Sequence, residues 1–406
     1  MKPTPRYKRM FVYENIFNTY DDLSRIESMD YDTTIFKIPA LYKEAANLLF
    51  TKHDWRYSEL GGPDELKKTI ADYEEYLTKV PSKKAMIFVG GGVSSLIGPI
   101  VEAILNLPEN STRKKVLLFS PDYTLFHSAV EYAGGKPVMI KAERHNDFIT
   151  TIEKISKNIS KETAAILFSN PNNPSGKNYP VAWIKELIKL AKKHNIFIIS
   201  DEIYSEMLYD LKSFTHIAKI QNSYHNYVKL FGLSKDRPGM TGMRTGYCIG
   251  DKRLNTALYD IQMVRNFSTS ALADAILNID MALRYQALSN KKSKVLKIFS
   301  EKDIQAYYKT INDNKNKQQK YLKIVIDELK NNKHITDIIM PDGGNCVFFK
   351  YYKNMAADKL AHEFAKKGLA IYPCDAFNMD PLIDGSWTRI CVTQKIDFLK
   401  KLVKTI

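Results

Sequence analysis

Residues 164–176 read AAILFSNPNNPSG: a short run of apolar and small residues, broken by a string of Asn, Pro, Ser and Gly. The run is shorter than the roughly ten residues a helix needs and stops at turn formers, so it reads as a buried strand. Four more runs of the same kind surround it: AMIFV (85–89), KVLLFS (115–120), IFIIS (196–200) and YVKLF (227–231). The segments between them are long enough for crossover helices. In one of these Val181, Ile184, Leu187, Ile188 and Ala191 recur at helical spacing with lysines between them, an apolar face suited to cover a sheet. Strands alternating with such helices predict an α/β fold, with a mostly parallel sheet flanked by helices on both sides.

Beyond residue 285 the pattern changes. Residues 291–333 are rich in Lys and Asn, with apolar positions interleaved in IQAYYKTI and YLKIVIDEL, and predict one long solvated helix or two. Two further strand candidates follow, NCVFF (345–349) and TRICV (388–392), with a helix at 355–367 between them. The expected organisation is a large ligand-binding lobe at 51–285 and a smaller α+β lobe drawn from both chain ends, 1–50 and 286–406.

Composition narrows the function. Of 406 residues, 44% are hydrophobic and 26% charged, the profile of a globular chain with a substantial core. Lys and Arg outnumber Asp and Glu by 60 to 45, giving +15. The excess is spread along the chain and forms no basic block interleaved with aromatics, so nucleic acid is not an expected partner. Cys248, Cys346, Cys374 and Cys391 form no C-x-x-C pair, so no zinc site and no disulfide framework is expected, and the expected compartment is the reducing cytoplasm. No run of about 18 apolar residues occurs, and MKPTPRYKRMFVYENIFNTYDDL lacks the apolar centre of a secretory signal, so no membrane partner is expected.

Ligands of a parallel α/β sheet collect beyond the carboxyl ends of its strands. After AMIFV come Gly90, Gly91, Gly92, Val93, Ser94 and Ser95, glycines opening into a helix. Amides exposed at a helix start, with the helix dipole behind them, suit a phosphate. The Lys-Ser/Thr ending of a P-loop is absent and the spacing does not fit G-x-G-x-x-G. Asn170 to Gly176 follow AAILFS; Asp201, Glu202, Ile203 and Tyr204 follow IFIIS; Ser234, Lys235 and then Arg244 in GMRTGY follow YVKLF. Singly, each has a plain structural account as a turn, a helix cap or a solvated lysine. Four such clusters at successive strand ends point to one shared ligand.

From about Tyr57 to Arg389 the chain resembles the fold-type-I pyridoxal-phosphate enzymes, specifically their aspartate-aminotransferase-like class I/II group, and SNPNNPSG, SDEIY and SK…GMRTGY carry the likeness. The resemblance implies a pyridoxal 5′-phosphate cofactor attached as a Schiff base to Lys235, whose released amine then moves a proton. It implies that Asp201 pairs with the pyridine nitrogen, that Asn173 and Tyr204 hydrogen-bond the phenolic oxygen, and that Tyr123 stacks on the ring. Gly91, Gly92 and Val93 would offer amides to the phosphate beside Ser234 and Arg244, whose planar fork can hold two oxygens. Tyr57 would reach the phosphate of a neighbouring subunit, which implies a homodimer with shared sites. Arg389, with Asn173 beside it, would hold the substrate carboxylate. The implied reaction moves an amino group between an L-amino acid and a 2-oxo acid; elimination, decarboxylation and oxidation are the alternatives on this scaffold.

Some positions depart from the family pattern. Arg244 follows Lys235 by nine residues, one more than is usual, so DRPGMTGM must bulge. Gly232 stands where Ser or Thr is usual, Cys374 where glycine is commoner, and no glycine-containing substrate segment is recognisable before KIPALYKEA. Arg265 lies near the position of a substrate-reading arginine in dicarboxylate-specific relatives, with a salt bridge as its plainer reading. Phe11, Tyr13 and Phe17 are candidates for the pocket wall.

Overall fold

The computed structural model describes residues 36–52, 56–237, 239–367 and 369–406, together with Ile16, Thr19, Glu27 and Ser28. Phe11, Tyr13 and Phe17 lie outside the described residues. The principal sheet has seven strands: β1 (Ile87–Gly90), β2 (Lys115–Ser120), β3 (Lys136–Lys141), β4 (Thr163–Ser169), β5 (Phe197–Asp201), β6 (Tyr227–Gly232) and β7 (Gly246–Gly250). Their order is β1-β7-β6-β5-β4-β2-β3. The ladders from β6 to β3 are parallel, and β7 runs antiparallel between β1 and β6. The fold is therefore α/β, as the alternation of runs implies.

All five expected strands are present, and β3 and β7 are additional. β3 is an edge strand in which Ile140 alone is fully buried, so it never needed the continuous apolar run that marks an interior strand. β7 reads GYCIG, with glycines at both ends that look like punctuation. Close packing requires them: a Cβ on Gly250 would sit 2.5 Å from Tyr227 O, and one on Gly246 would sit 2.8 Å from Phe231 O.

Because side chains alternate across a strand, each interior strand feeds two cores. Leu117, Phe119, Ile166 and Phe168 join helices α1 (Asp64–Thr78), α3 (Val181–His194) and α4 (Ala271–Ser289) on one face. Val116, Leu118, Leu167 and Ile199 join α2 (Val93–Leu105) on the other. On α3 the buried positions are Ile184, Leu187, Ile188 and Ala191, while Val181 at its start stays exposed.

The Lys- and Asn-rich stretch forms one helix, α5 (Glu301–Lys330), which begins where Ser300 and Asp303 complete a capping box. Its first half buries Ile304 and Tyr307 in the core of the principal sheet. Its last turns bury Leu322, Val325 and Leu329 against the second sheet, made of β8 (Ile335–Ile339), β9 (Cys346–Tyr351) and β10 (Trp387–Cys391) in the antiparallel order β10-β9-β8. Helix α6 (Ala357–Ala365) falls within the expected 355–367 and packs on this smaller core. α5 is thus the beam that sets the small sheet beside the carboxyl ends of the large one. No helix among the described residues is long and apolar enough to cross a membrane.

Candidate functional site

Gly90 at the end of β1, Gly246 at the start of β7 and Gly232 at the end of β6 pair in one row across the sheet. α2 begins just beyond, with Gly92 as its N-cap at φ 93° and no side-chain cap. A Cβ on Gly92 would lie 3.0 Å from Arg244 Nη2, so the glycine lets the guanidinium sit against the helix start. Arg244 is exposed, and its Nη1 donates to Thr241 O at 3.2 Å; Thr241 Oγ1 in turn donates to Ser234 O at 2.9 Å, tying the arginine to the segment that carries Lys235. The Gly92 amide turns inward to Gly90 O at 2.7 Å.

Asp201 closes β5 and is 5% exposed. Burial pushes its carboxyl up to about 7; the Ile203 amide, donating to Oδ1 at 3.1 Å, and the nearby Lys235 charge act against that rise. Tyr123 places its Oη 3.1 Å from Ser94 Oγ and feels the charges of Lys235, Asp201 and Arg244. One electrostatic neighbourhood therefore holds Asp201, Lys235, Tyr123 and Arg244.

Across from these residues, Arg389 on β10 donates from Nη1 to Asn173 Oδ1 at 2.8 Å and lies over the Phe377 ring at 5.2 Å. The small sheet thereby contributes a cation to the NPNNP turn of the large one. Tyr204 is buried, 3.7 Å from the position a Cβ would take on Gly344. Tyr57 stands apart from this cluster: it is 83% exposed, with its ring edge-on to Phe267 at 5.1 Å. Arg265 Nη2 donates to Glu102 at 2.5 Å, so the salt-bridge reading describes it. Cys374 is buried, its thiol 3.4 Å from Gly385 O.

The segment just after Lys235 buries charge. Arg237 Nε donates to Asp280 on α4 at 2.7 Å, and Arg284 on α4 pairs with Asp236 at 2.7 Å. Gly232 has its own local reason. A Cβ there would stand 2.9 Å from Thr245 O and 3.2 Å from Gly246 Cα. Backbone cannot yield as a flexible side chain can, so Gly232→Ser should cost roughly 1–3 kcal/mol and should not tighten cofactor binding. Melting curves and cofactor titration test this; a serine variant as stable as the parent would contradict the account.

Asp122, in SPDYTLF, is a residue the motif reading passed over in favour of Tyr123. It is 1% exposed and accepts from Ser169 N at 3.1 Å, from Ser169 Oγ and from Tyr123 N at 2.7 Å. Ser169 Oγ then accepts from Asn173 N at 2.9 Å. Asp122 thus orients both the candidate stacking tyrosine and the turn that meets Arg389. Glu202 is a second such group, fully buried, accepting from Tyr227 Oη at 2.8 Å and paired with His216 Nδ1 at 2.8 Å. Asp122 adjoins Tyr123 and Glu202 stands inside SDEIY, and that placement was the available signal.

Burial also pushes the Asp122 carboxyl up, to about 8. For Asp122 and Asp201 the folded pKa exceeds the unfolded one, so the folded chain retains protons that the unfolded chain loses above about pH 4. Each group therefore takes stability away as pH rises from about 4 to its folded pKa, by up to about 1.4 kcal/mol per pH unit. In the cofactor-free protein, Asp122→Asn should flatten the decline in melting temperature between about pH 5 and 8 relative to the parent. Parallel pH profiles for the two proteins would refute it.

The residues present fit a pyridoxal-phosphate-like group: Arg244 seated against the start of α2 where an anion would lie, an aromatic wall at Tyr123, and a buried carboxyl at Asp201 that a cationic ring nitrogen would stabilise in its ionised form. Comparison with known proteins agrees in kind. The sequence model for aminotransferase class I and II matches residues 26–406. The chain is 26% identical over 355 residues to a probable aspartate/prephenate aminotransferase of Aquifex aeolicus, covering 86% of this chain and 82% of that one. It is 33% identical over 193 residues to the glutamate-pyruvate aminotransferase AlaA of Haemophilus influenzae, covering 48% and 46%. The fold matches the Thermus thermophilus aspartate aminotransferase structure with maleate at TM-score 0.82 and 20% identity, over 100% of this chain and 96% of that one. With a family model spanning all but the first residues, the chain belongs to the class I and II aminotransferases.

Proposed function

We propose that this aminotransferase holds pyridoxal 5′-phosphate between the start of α2, Tyr123 and Asp201, and uses it through Lys235. Members of the family are generally dependent on that cofactor and act on amino and 2-oxo acids. The observation that carries the reading is the buried Asp201 carboxyl within the field of Lys235, at the sheet end where Arg244 sits against the start of α2. When bound, the cofactor supplies an electron sink for the substrate's Cα.

The chain's own groups do the rest. Asp201, facing a ring nitrogen, would ionise and keep that nitrogen protonated, because an adjacent cation offsets the burial that now holds its pKa up. Lys235 would take and return the Cα proton, a task for which a lysine near the cluster's other cationic groups is suited. Arg389 would present its planar fork to the substrate carboxylate and so fix the orientation of Cα. Asn173, already bonded to Arg389, would keep that fork aligned and contribute to the phenolic-oxygen side together with Tyr204. Gly91, Val93, Ser234 and Arg244 would hold the phosphate.

We also assign a homodimer. Tyr57 and Phe267 are exposed with Met263 and Val264, the last by 87%, and such an apolar surface suits a second copy. In that arrangement Tyr57 reaches the partner's phosphate. Separate cores on the two sheets, and the pairing of Glu27–Ser28 with Leu369–Ala370, support a smaller lobe drawn from both chain ends; Leu41, Tyr42, Ala45, Ile304 and Tyr307 pack in the principal-sheet core and speak against 1–50 and 286–406 as its bounds. The decisive experiment mixes loaded protein with a panel of amino acids and follows the cofactor's spectrum. One equivalent of 2-oxo acid released per site, with nitrogen recovered by a second oxo acid, supports transfer; ammonia, carbon dioxide or peroxide in its place overturns it.

A further inference from the structure

Cys346 opens β9 and Cys391 closes β10, directly opposite each other in the antiparallel ladder. Val392 N donates to Asn345 O at 2.7 Å, which makes Asn345 and Val392 a hydrogen-bonded pair. The adjacent Cys346–Cys391 pair is therefore of the non-hydrogen-bonded kind, where facing Cα atoms come closest, at about 4.5 Å. That spacing lies within the range a disulfide can span. The two sulfurs are 3.0 Å apart, so about 1 Å of closure would bring them to bonding distance.

The other two cysteines differ. Cys248 lies on β7 in the principal sheet, its thiol pushed up to about 12 by burial. Burial likewise raises the Cys374 thiol, which faces the Gly385 carbonyl. Cys346, by contrast, lines a small cavity with Asn172, Asn173, Tyr204, Gly344 and Asn345. That cavity adjoins the NPNNP turn of the candidate site, which gives a small oxidant a route toward Cys346. Cys346 and Cys391 are only 7% and 3% exposed, which favours a compact oxidant over a bulky disulfide.

We infer that Cys346 and Cys391 form a site of reversible oxidation to an intrachain disulfide, with hydrogen peroxide as the oxidant. One thiolate sulfur attacks a peroxide oxygen, the O–O bond breaks, and hydroxide leaves; that sulfur becomes a sulfenic acid. The second sulfur displaces the sulfenic oxygen, which departs with the remaining protons as water. Overall two thiols and one peroxide give one disulfide and two waters, and a dithiol reductant reverses the change. The consequence for activity rests on the reading of Arg389 above. Arg389 lies two residues before Cys391 on the same strand face, so closure of the sulfurs shifts its contact with Asn173. A displacement of that order raises KM for the amino acid on the order of tenfold or more.

The test treats the loaded enzyme with hydrogen peroxide, blocks remaining thiols under denaturing, non-reducing conditions, and maps peptides by mass spectrometry. A peptide joining Cys346 to Cys391, lost on addition of dithiothreitol, absent in Cys391→Ser and retained in Cys248→Ser, is the expected result. Four blocked thiols after peroxide treatment of the parent, or a bridge to Cys248 or Cys374, overturns the inference. If the bridge forms and KM does not move, the oxidation site stands and the role given to Arg389 falls.

Discussion

Lys235→Ala is expected to remove the long-wavelength absorbance of the loaded enzyme and to lower turnover on the order of 10⁴-fold. The size follows from the two tasks that one amine performs, covalent attachment of the cofactor and transfer of the Cα proton, neither of which alanine can take over. The surroundings support the assignment: the charge of Lys235 is felt by both Asp201 and Tyr123. Removing the ammonium should also raise the Asp201 pKa further, because one of the influences that now lowers it disappears. Turnover within tenfold of the parent, in a variant shown by melting to be folded, would remove Lys235 from the mechanism. Added small amines offer a second readout, since partial recovery with methylamine would separate loss of the proton carrier from loss of the fold.

The second large effect is expected at Asp201. Asp201→Asn should reduce kcat on the order of 10²–10³-fold while changing cofactor affinity far less, because the phosphate end is held by other elements. In the parent the carboxyl is buried, its Oδ1 is bonded by Ile203 N at 3.1 Å, and its pKa is pushed up to about 7. A protonated ring nitrogen in front of it would pull that value down, so an ionised Asp201 and a cationic ring stabilise one another. Asparagine preserves shape and removes the charge. The checking measurement is kcat against cofactor dissociation constant for parent and variant. Equal losses in both would show a binding or folding role in place of an electronic one.

The strand cores and the turns that follow them were legible one segment at a time. AAILFS, IFIIS and YVKLF each carry their own length and apolar content, and NPNNPSG, DEIY and the Ser-Lys pair each begin where a run stops. Such information is local, because a buried strand needs a continuous apolar run and a ligand-bearing strand end needs a turn former. The resemblance to a known family then supplied roles that no spacing contains.

Residues acting through partners distant in sequence were not legible. Asp122 gains its partner only when β4 brings Ser169 against it, and Glu202, named only as one member of the DEIY cluster, gains its own only when His216 and Tyr227 enclose it. Gly232 reads as a missing hydroxyl, yet the approach of Thr245 O leaves no volume for a Cβ. Cys346 and Cys391 sit 45 residues apart and become neighbours only through the register of β9 on β10.

Local pattern thus specified which segments become strands and which turns carry chemistry, since propensity and burial act on neighbours along the chain. Folding alone specified the edge strand β3, the glycine-lined β7, the acids beneath the site and the facing thiols. Each of these depends on the distance between segments far apart in the chain, and that distance exists only once the sheets have formed and α5 has set one beside the other.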